Sequence, residues 1–304
     1  VLKAIEFYEK AINTCSTYTN AFSGLANAYS FLGIIGHMQG EEAFPKAEKY
    51  ALQAIELNGA RADSYTSLGY INLFYHWDFV SADSNFRKAI IIEPENEEAR
   101  LAFSLHNRVI GRFDKMISQG KAAVKIAPLS LPAILNLARA ESLVENYEEA
   151  LKLYDMIIEL DPNFRSAYEG KALVYAEMGE FDEAIVQAKK YIKLIKGPYK
   201  GGTQLGYIYS MMGKKKEVRK SLELIKERQS KQPEINLSLD LAIMHAGLDD
   251  PDNMFIHLNE AVDKKLGSIL FITSIPFLNK YSGDERFIQI LKRIGLSTQT
   301  TFRA

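Results

Sequence analysis

The 304-residue chain has one cysteine, one tryptophan and no surplus of either charge, since 37 Lys and Arg face 38 Asp and Glu. The lone Cys15 cannot close an internal disulfide, so a disulfide-stapled scaffold is excluded and a reducing compartment is permitted. No apolar run reaches the ~18–20 residues that a helix needs to cross a bilayer. With 9 Pro, 19 Gly, 47% hydrophobic and 25% charged residues, collagen-like and disordered classes are excluded as well. No basic stretch leads into an apolar core at the start, so no signal peptide is visible. The chain opens Val-Leu-Lys-Ala without Met and reads there as mid-helix, which predicts a fragment of a longer protein. The compartment stays open between cytoplasm and, for a membrane-anchored parent protein, periplasm.

Catalytic and metal-binding patterns are also missing. The chain contains no His-Glu-x-x-His, no Cys-x-x-Cys, no Gly-x-Ser-x-Gly and no Gly-x-x-x-x-Gly-Lys-Ser/Thr. Gly197-Pro198-Tyr199-Lys200-Gly201-Gly202-Thr203 places its Lys before the glycines instead of after them, and reads as a turn between repeats. Asp249-Asp250-Pro251-Asp252-Asn253 fails the calcium-loop spacing, with Met254 where a ligand should fall, and reads as a turn plus helix N-cap. The five histidines do not cluster; His245 and His257 read as helix packing, Trp77 as a packing anchor at a turn, and Cys15 as inert. Neither a cofactor nor a metal is implied, and the chain itself is read as no enzyme.

What the sequence does have is a period. Pro94, Pro128 and Pro162 are 34 residues apart, and so are Phe113, Tyr147 and Phe181. Gly179 and Gly213, Ala150 and Ala184, and the small residues Ser104, Ala138, Ala172 and Gly206 keep the same interval. Within each unit apolar residues recur at helical spacing, as in Ala150, Leu151, Tyr154, Ile157 and Ile158. Asp114, Glu148, Glu149, Asp182 and Glu183 stand where second helices start and complement the positive end of the helix dipole, a structural role and not acid–base chemistry. The prolines follow second helices, which they cannot propagate. Units are expected to start near residues 19, 62, 97, 131, 165, 199 and 233, with extra residues around Gly33–Glu42 and His76–Phe79.

A 34-residue helix–turn–helix unit such as Tyr168-Glu169-Gly170-Lys171-Ala172-Leu173-Val174-Tyr175 followed by Gly179-Glu180-Phe181-Asp182-Glu183-Ala184-Ile185 resembles the tetratricopeptide repeat (TPR). Gly120 and Lys215 depart from that pattern where an aromatic is usual. The resemblance implies an all-α fold, a right-handed superhelical solenoid of antiparallel helix hairpins over residues 1–266, closed by a capping segment at 267–304. Leu241–Leu248, Leu258-Asn259-Glu260-Ala261, Ile275-Pro276-Phe277-Leu278 and Gly283–Phe287, with Glu42–Ala47 and Trp77-Asp78-Phe79, are similar to bacterial proteins in which such repeats follow a signalling output domain. In that group the output domain is a nucleotide cyclase, a winged-helix regulator or a serine/threonine kinase, so a fused N-terminal domain is expected.

The same resemblance places a partner-binding groove on the first helix of each hairpin, at Asn27, Phe31, Tyr70, Phe74, Leu105, Arg108, Arg139, Leu143, Thr203, Tyr207 and Met211. Aromatics interleaved with Arg and Asn suit a peptide or partner helix. Ser23 stands where chaperone-tail receptors carry Lys, which argues against that use. Residues 189–231 hold 13 Lys or Arg against 3 Glu, including Lys189, Lys190, Lys193, Lys214, Lys215, Lys216, Arg219 and Lys220. Such a segment could attract a polyanion, but no base-reading motif accompanies it, and a solvated face balanced by acidic neighbours is favoured over nucleic acid. The sequence therefore reads as a non-catalytic protein- or peptide-binding regulatory module of a bacterial signalling protein, with a homodimer compatible with the array. The alternative is a polyanion binder through 189–231.

Overall fold

A computed structural model describes residues 1–57, 61–195, 202–233 and 235–297. Among the described residues there are sixteen α-helices and no strand. After α1 (Leu2–Thr14) come seven hairpins: α2 (Thr19–Ile34) with α3 (Gly40–Glu56), α4 (Ala62–Ile71) with α5 (Phe79–Ile92), α6 (Glu97–Val109) with α7 (Phe113–Ile126), α8 (Leu131–Leu143) with α9 (Tyr147–Leu160), α10 (Arg165–Glu177) with α11 (Phe181–Leu194), α12 (Gly202–Met211) with α13 (Lys215–Lys231), and α14 (Ser238–Gly247) with α15 (Pro251–Asp263). Two 3-10 segments, Gly267–Ser274 and Pro276–Tyr281, lead to α16 (Glu285–Arg293).

First helices begin at 19, 62, 97, 131 and 165, as the period predicts, and α5, α7 and α9 each stop two residues before Pro94, Pro128 and Pro162. The start expected at 199 and most of the turn from Gly197 lie outside the described residues. The start expected at 233 is wrong: α14 begins at Ser238, because α13 runs 17 residues where α9 and α11 run 14. The longer second helix delays the next first helix. The unit from 62 to 97 is one residue over period, and a π-helical turn at Asn72–His76 absorbs the addition before Trp77 ends it.

The described residues form two compact units, Val1–Ile110 with Asp114–Pro128, and Gly111–Phe113 with Leu129–Ala304. In the first, α2 packs on both α3 and α4, and α4 on both α5 and α6. Ser104 of α6 donates a 2.9 Å hydrogen bond to the Met116 carbonyl of α7. In the second, each hairpin packs within itself, and α8, α10, α12 and α14 stack in succession. Small side chains permit the close approach: Ala138, Ala150, Ala167, Ala184 and Ala188 are all fully buried. Large ones fill what remains, notably Phe86 and Tyr154.

Hairpin turns show the register most sharply. Trp77, Gly111, Glu145, Gly179 and Gly213, spaced by 34, all adopt positive φ, between 58° and 80°. Three use glycine, which enters the left-handed region without a Cβ penalty, whereas Trp77 and Glu145 carry that strain. Glu145 is exposed, so Glu145→Gly is expected to raise stability by up to about 1 kcal/mol, read as a higher urea midpoint. A lowered midpoint would show that its side chain contributes more than the turn costs.

Phe287, Ile290, Leu291 and Ile294 are buried, and α16 packs on α15. At the rim Arg286 pairs with Asp252 and Asp284, each at 2.8 Å, and lies 4.2 Å from the Phe255 ring centre, while Arg293 reaches Asn259 and Asp263.

Candidate functional site

First-helix residues expected to line a groove divide into two groups. Phe31 of α2 is 48% exposed, and Asn27, Tyr70, Leu105, Arg108, Arg139, Thr203 and Met211 are half-buried with surface remaining. Phe74, Leu143 and Tyr207 are buried, and their assignment to the groove is corrected. Phe74 turns inward with the π-helical turn. Tyr207 packs edge-on against Phe277, ring centres 6.1 Å apart, within a cluster holding Val218, Leu241 and Met244.

Within the first unit, polar side chains tie neighbouring first helices together. Ser23 and Ser64 hydroxyls lie 2.8 Å apart, and Ser67 donates to the Asn27 side-chain oxygen one turn further on. Tyr70 donates to Glu98 of α6 at 3.0 Å, with its ring edge-on to Phe86. Burial pushes the Tyr70 phenol well above its usual range, assisted by the Glu98 charge, and burial raises the Glu98 carboxyl as well. Ser64 and Ser67 escaped sequence reading because small polar residues at these positions look like ordinary helix surface.

The basic residues are all exposed: Lys189, Lys190 and Lys193 on α11, Lys214 at the turn, and Lys215, Lys216, Arg219 and Lys220 on α13. Cations at the start of a helix oppose its dipole. Glu217 in that first turn and Asp249 from the α14–α15 turn offset them, at 2.9 Å from Lys220 and 2.7 Å from Lys215. Lys226 and Lys231 also pair with glutamates along α13, and Lys190 lies over the Tyr168 ring.

The Asp249–Asn253 stretch is a turn plus cap, with the Asp250 carboxylate accepting from the Asn253 amide at 3.2 Å. His245 and His257 stack with ring centres 5.4 Å apart, and each meets a carboxylate, Asp250 at 3.0 Å and Glu260 at 3.3 Å. Burial lowers the His245 pKa, Asp250 opposes this, and the nearby His257 and Lys226 add to the lowering. The folded state therefore holds neutral His245 while the unfolded chain takes the proton more readily, so stability is lost as pH falls through about 6.5. The melting temperature is expected to fall between pH 7.5 and 5.5, and to fall less in His245→Gln; equal slopes would contradict this. Asp250, held below the usual carboxylate range by Asn253, titrates outside that window.

Among the described residues no three His, Cys, Asp or Glu side chains gather to hold a metal, and no helix is long and apolar enough to cross a membrane. Cys15 is exposed, and a hydrogen bond with Thr17 lowers its thiol pKa. A cavity in the second unit, lined by Arg165, Tyr191, Thr203, Gln204, Arg228 and Asp240, was not anticipated. Its residues come from five helices, and Arg228 is indistinguishable in sequence from the basic run around it.

No family model matches the chain. Human tetratricopeptide repeat protein 6 is 25% identical over 191 residues, covering 63% of this chain, and the chain spans about a third of that relative's length, 35%. Among solved structures, TTC0263, a thermophilic TPR protein of Thermus thermophilus, superposes with a TM-score of 0.51 at 22% identity, covering 62% of this chain and 98% of that one. Yeast Tom70 superposes with a TM-score of 0.55 at 16% identity, covering 97% of this chain and 62% of that one. Both likenesses bear on the fold, which is the all-α fold the period implies. With its 34-residue register, its stacked first helices and its left-handed hairpin turns, the chain has the fold of tetratricopeptide-repeat proteins.

Proposed function

We propose that the chain is a non-catalytic binding module that takes a peptide or a partner helix along its first helices, as the regulatory part of a bacterial signalling protein with an output domain upstream. The observation that carries this reading is the side-chain chemistry left at the surface of stacked first helices. Phe31, Asn27 and Tyr70 in the first unit, and Arg139, Thr203 and Met211 in the second, keep aromatic, amide, guanidinium, hydroxyl and thioether groups at the surface of first helices. Mixed aromatic and Arg surfaces on a rigid scaffold favour extended or helical segments. The rigidity comes from the Ser23–Ser64, Ser67–Asn27 and Tyr70–Glu98 bonds, which fix neighbouring first helices before any partner arrives.

Peptides selected from a display library against the intact chain test the proposal. Affinities are expected on the order of micromolar, roughly −8 kcal/mol. Phe31→Ala or Arg139→Ala should weaken a selected peptide about tenfold, while Val80→Ala and Ile91→Ala on α5, exposed by 82% and 76%, should not. Peptides that respond to the α5 substitutions and ignore both first-helix ones would overturn it. A polyanion role for 189–231 is the weaker reading, since Lys215, Lys220, Lys226 and Lys231 already face carboxylates. It predicts retention on heparin that is lost with added salt.

A further inference from the structure

α14 starts five residues beyond the expected 233, after the 17-residue α13. The long α13 and the late start of α14 leave a cavity of about 390 Å³, a size suited to a small ligand. Leu224 and Leu237 contribute to an aliphatic wall, while Arg165, Tyr191, Arg228 and Asp240 bring charged and polar atoms from four helices to the same space.

The two guanidinium groups there are underused. Arg228 donates to the Gln232 amide oxygen at a long 3.4 Å, and Arg165 closes no ion pair among the described residues. Gln204 is already engaged, donating to Glu169 at 3.2 Å and to the Tyr191 hydroxyl at 3.3 Å. Burial pushes the Tyr191 phenol up to about 12, and it raises the Asp240 carboxyl against a hydrogen bond from Thr203 and the charge of Arg228. Asp240 and Glu169 balance the two arginines in charge, yet neither carboxylate closes an ion pair with them among the described residues, Glu169 being taken by Gln204 and Tyr191. Guanidinium forks match a carboxylate in shape and charge, and a site with no surplus charge fits a monoanion better than a phosphate dianion.

We propose that this cavity binds a monocarboxylate with a short aliphatic chain, the carboxylate held by Arg165 and Arg228 and the chain lying against Leu224 and Leu237. The carboxylate can belong to a free aliphatic acid or to the last residue of a peptide. The site shares only Thr203 with the groove, so its failure leaves the groove reading, tested through Phe31 and Arg139, untouched.

Titration calorimetry of the intact chain with 4-methylpentanoate, and with a hexapeptide ending in leucine, tests the proposal in low salt. 4-Methylpentanamide and the C-terminally amidated peptide serve as controls. Saturable binding of the free acid identifies a small-molecule site, and binding of the peptide alone identifies a terminus; both support the proposal provided that the matching amide fails. Arg165→Gln and Arg228→Gln should each weaken binding about tenfold or more, with the melting temperature of the exposed Arg165→Gln variant unchanged. Absence of saturable binding in both arms at millimolar concentration, amides that bind as well as acids, or binding that survives both substitutions would overturn it.

Discussion

Truncation after Gly283 is expected to lower the melting temperature of the second unit by about 10 °C or more and to promote aggregation. The removed segment buries Phe287, Ile290, Leu291, Ile294 and Leu296, each contributing roughly 1.5–3 kcal/mol of transfer free energy. A loss of several kcal/mol corresponds to a shift of that size, at about 2–4 °C per kcal/mol for a unit of this length. The loss also uncovers α15, whose Met254, Phe255 and Leu258 are now buried. Terminal repeats need a closing element because each repeat buries its apolar face only against a neighbour. Arg286→Ala, at the exposed rim, is expected to shift the melt far less by comparison. A truncated chain that melts as the full chain does would remove the capping role.

Gly170→Ala is expected to destabilise by about 1–3 kcal/mol, although Ala in a helix interior ordinarily stabilises relative to Gly by about 0.5–1 kcal/mol. The sign decides between the two effects. A Cβ on Gly170 would stand within the ring of Tyr154, a side chain that is itself 1% exposed and has nowhere to move. Tyr154→Ala alone should cost about 3–5 kcal/mol through the cavity it leaves. In that background Gly170→Ala should become neutral or stabilising, since the new methyl then enters empty space. Urea titrations of the four proteins in this cycle measure the coupling. Additive losses would mean that the ring and the glycine do not share the contact.

This pair also shows how far the fold was legible in the sequence. Tyr8 packs on Gly24 as Tyr154 packs on Gly170, both sixteen residues apart, each ring seated on the first helix of the next hairpin. Where Gly120 replaces the ring, Asn136 replaces the small residue. The period, most helix starts and the proline stops could be read because backbone geometry demands particular residues there: Pro after a helix, glycine at a left-handed turn, small residues at close crossings. Glu145 hides one of those turns, because it takes the strained conformation without announcing it. Phe74 and Tyr207 were misplaced for a different reason. A one-residue π insertion rotates Phe74 inward, and Phe277 from the C-terminal segment covers Tyr207. The cavity beside Arg228 depends on the length of α13, and no residue type in a repeat pattern encodes that length.

The central claim, that partners lie along the first helices, is tested most directly by hydrogen exchange of the intact chain with and without a selected peptide. The account predicts slowed exchange in consecutive first helices, α2, α4 and α6 or α8, α10 and α12, with α5, α9 and α13 unchanged. Protection confined to second helices, or to α11 and α13 around the basic segment, would contradict it.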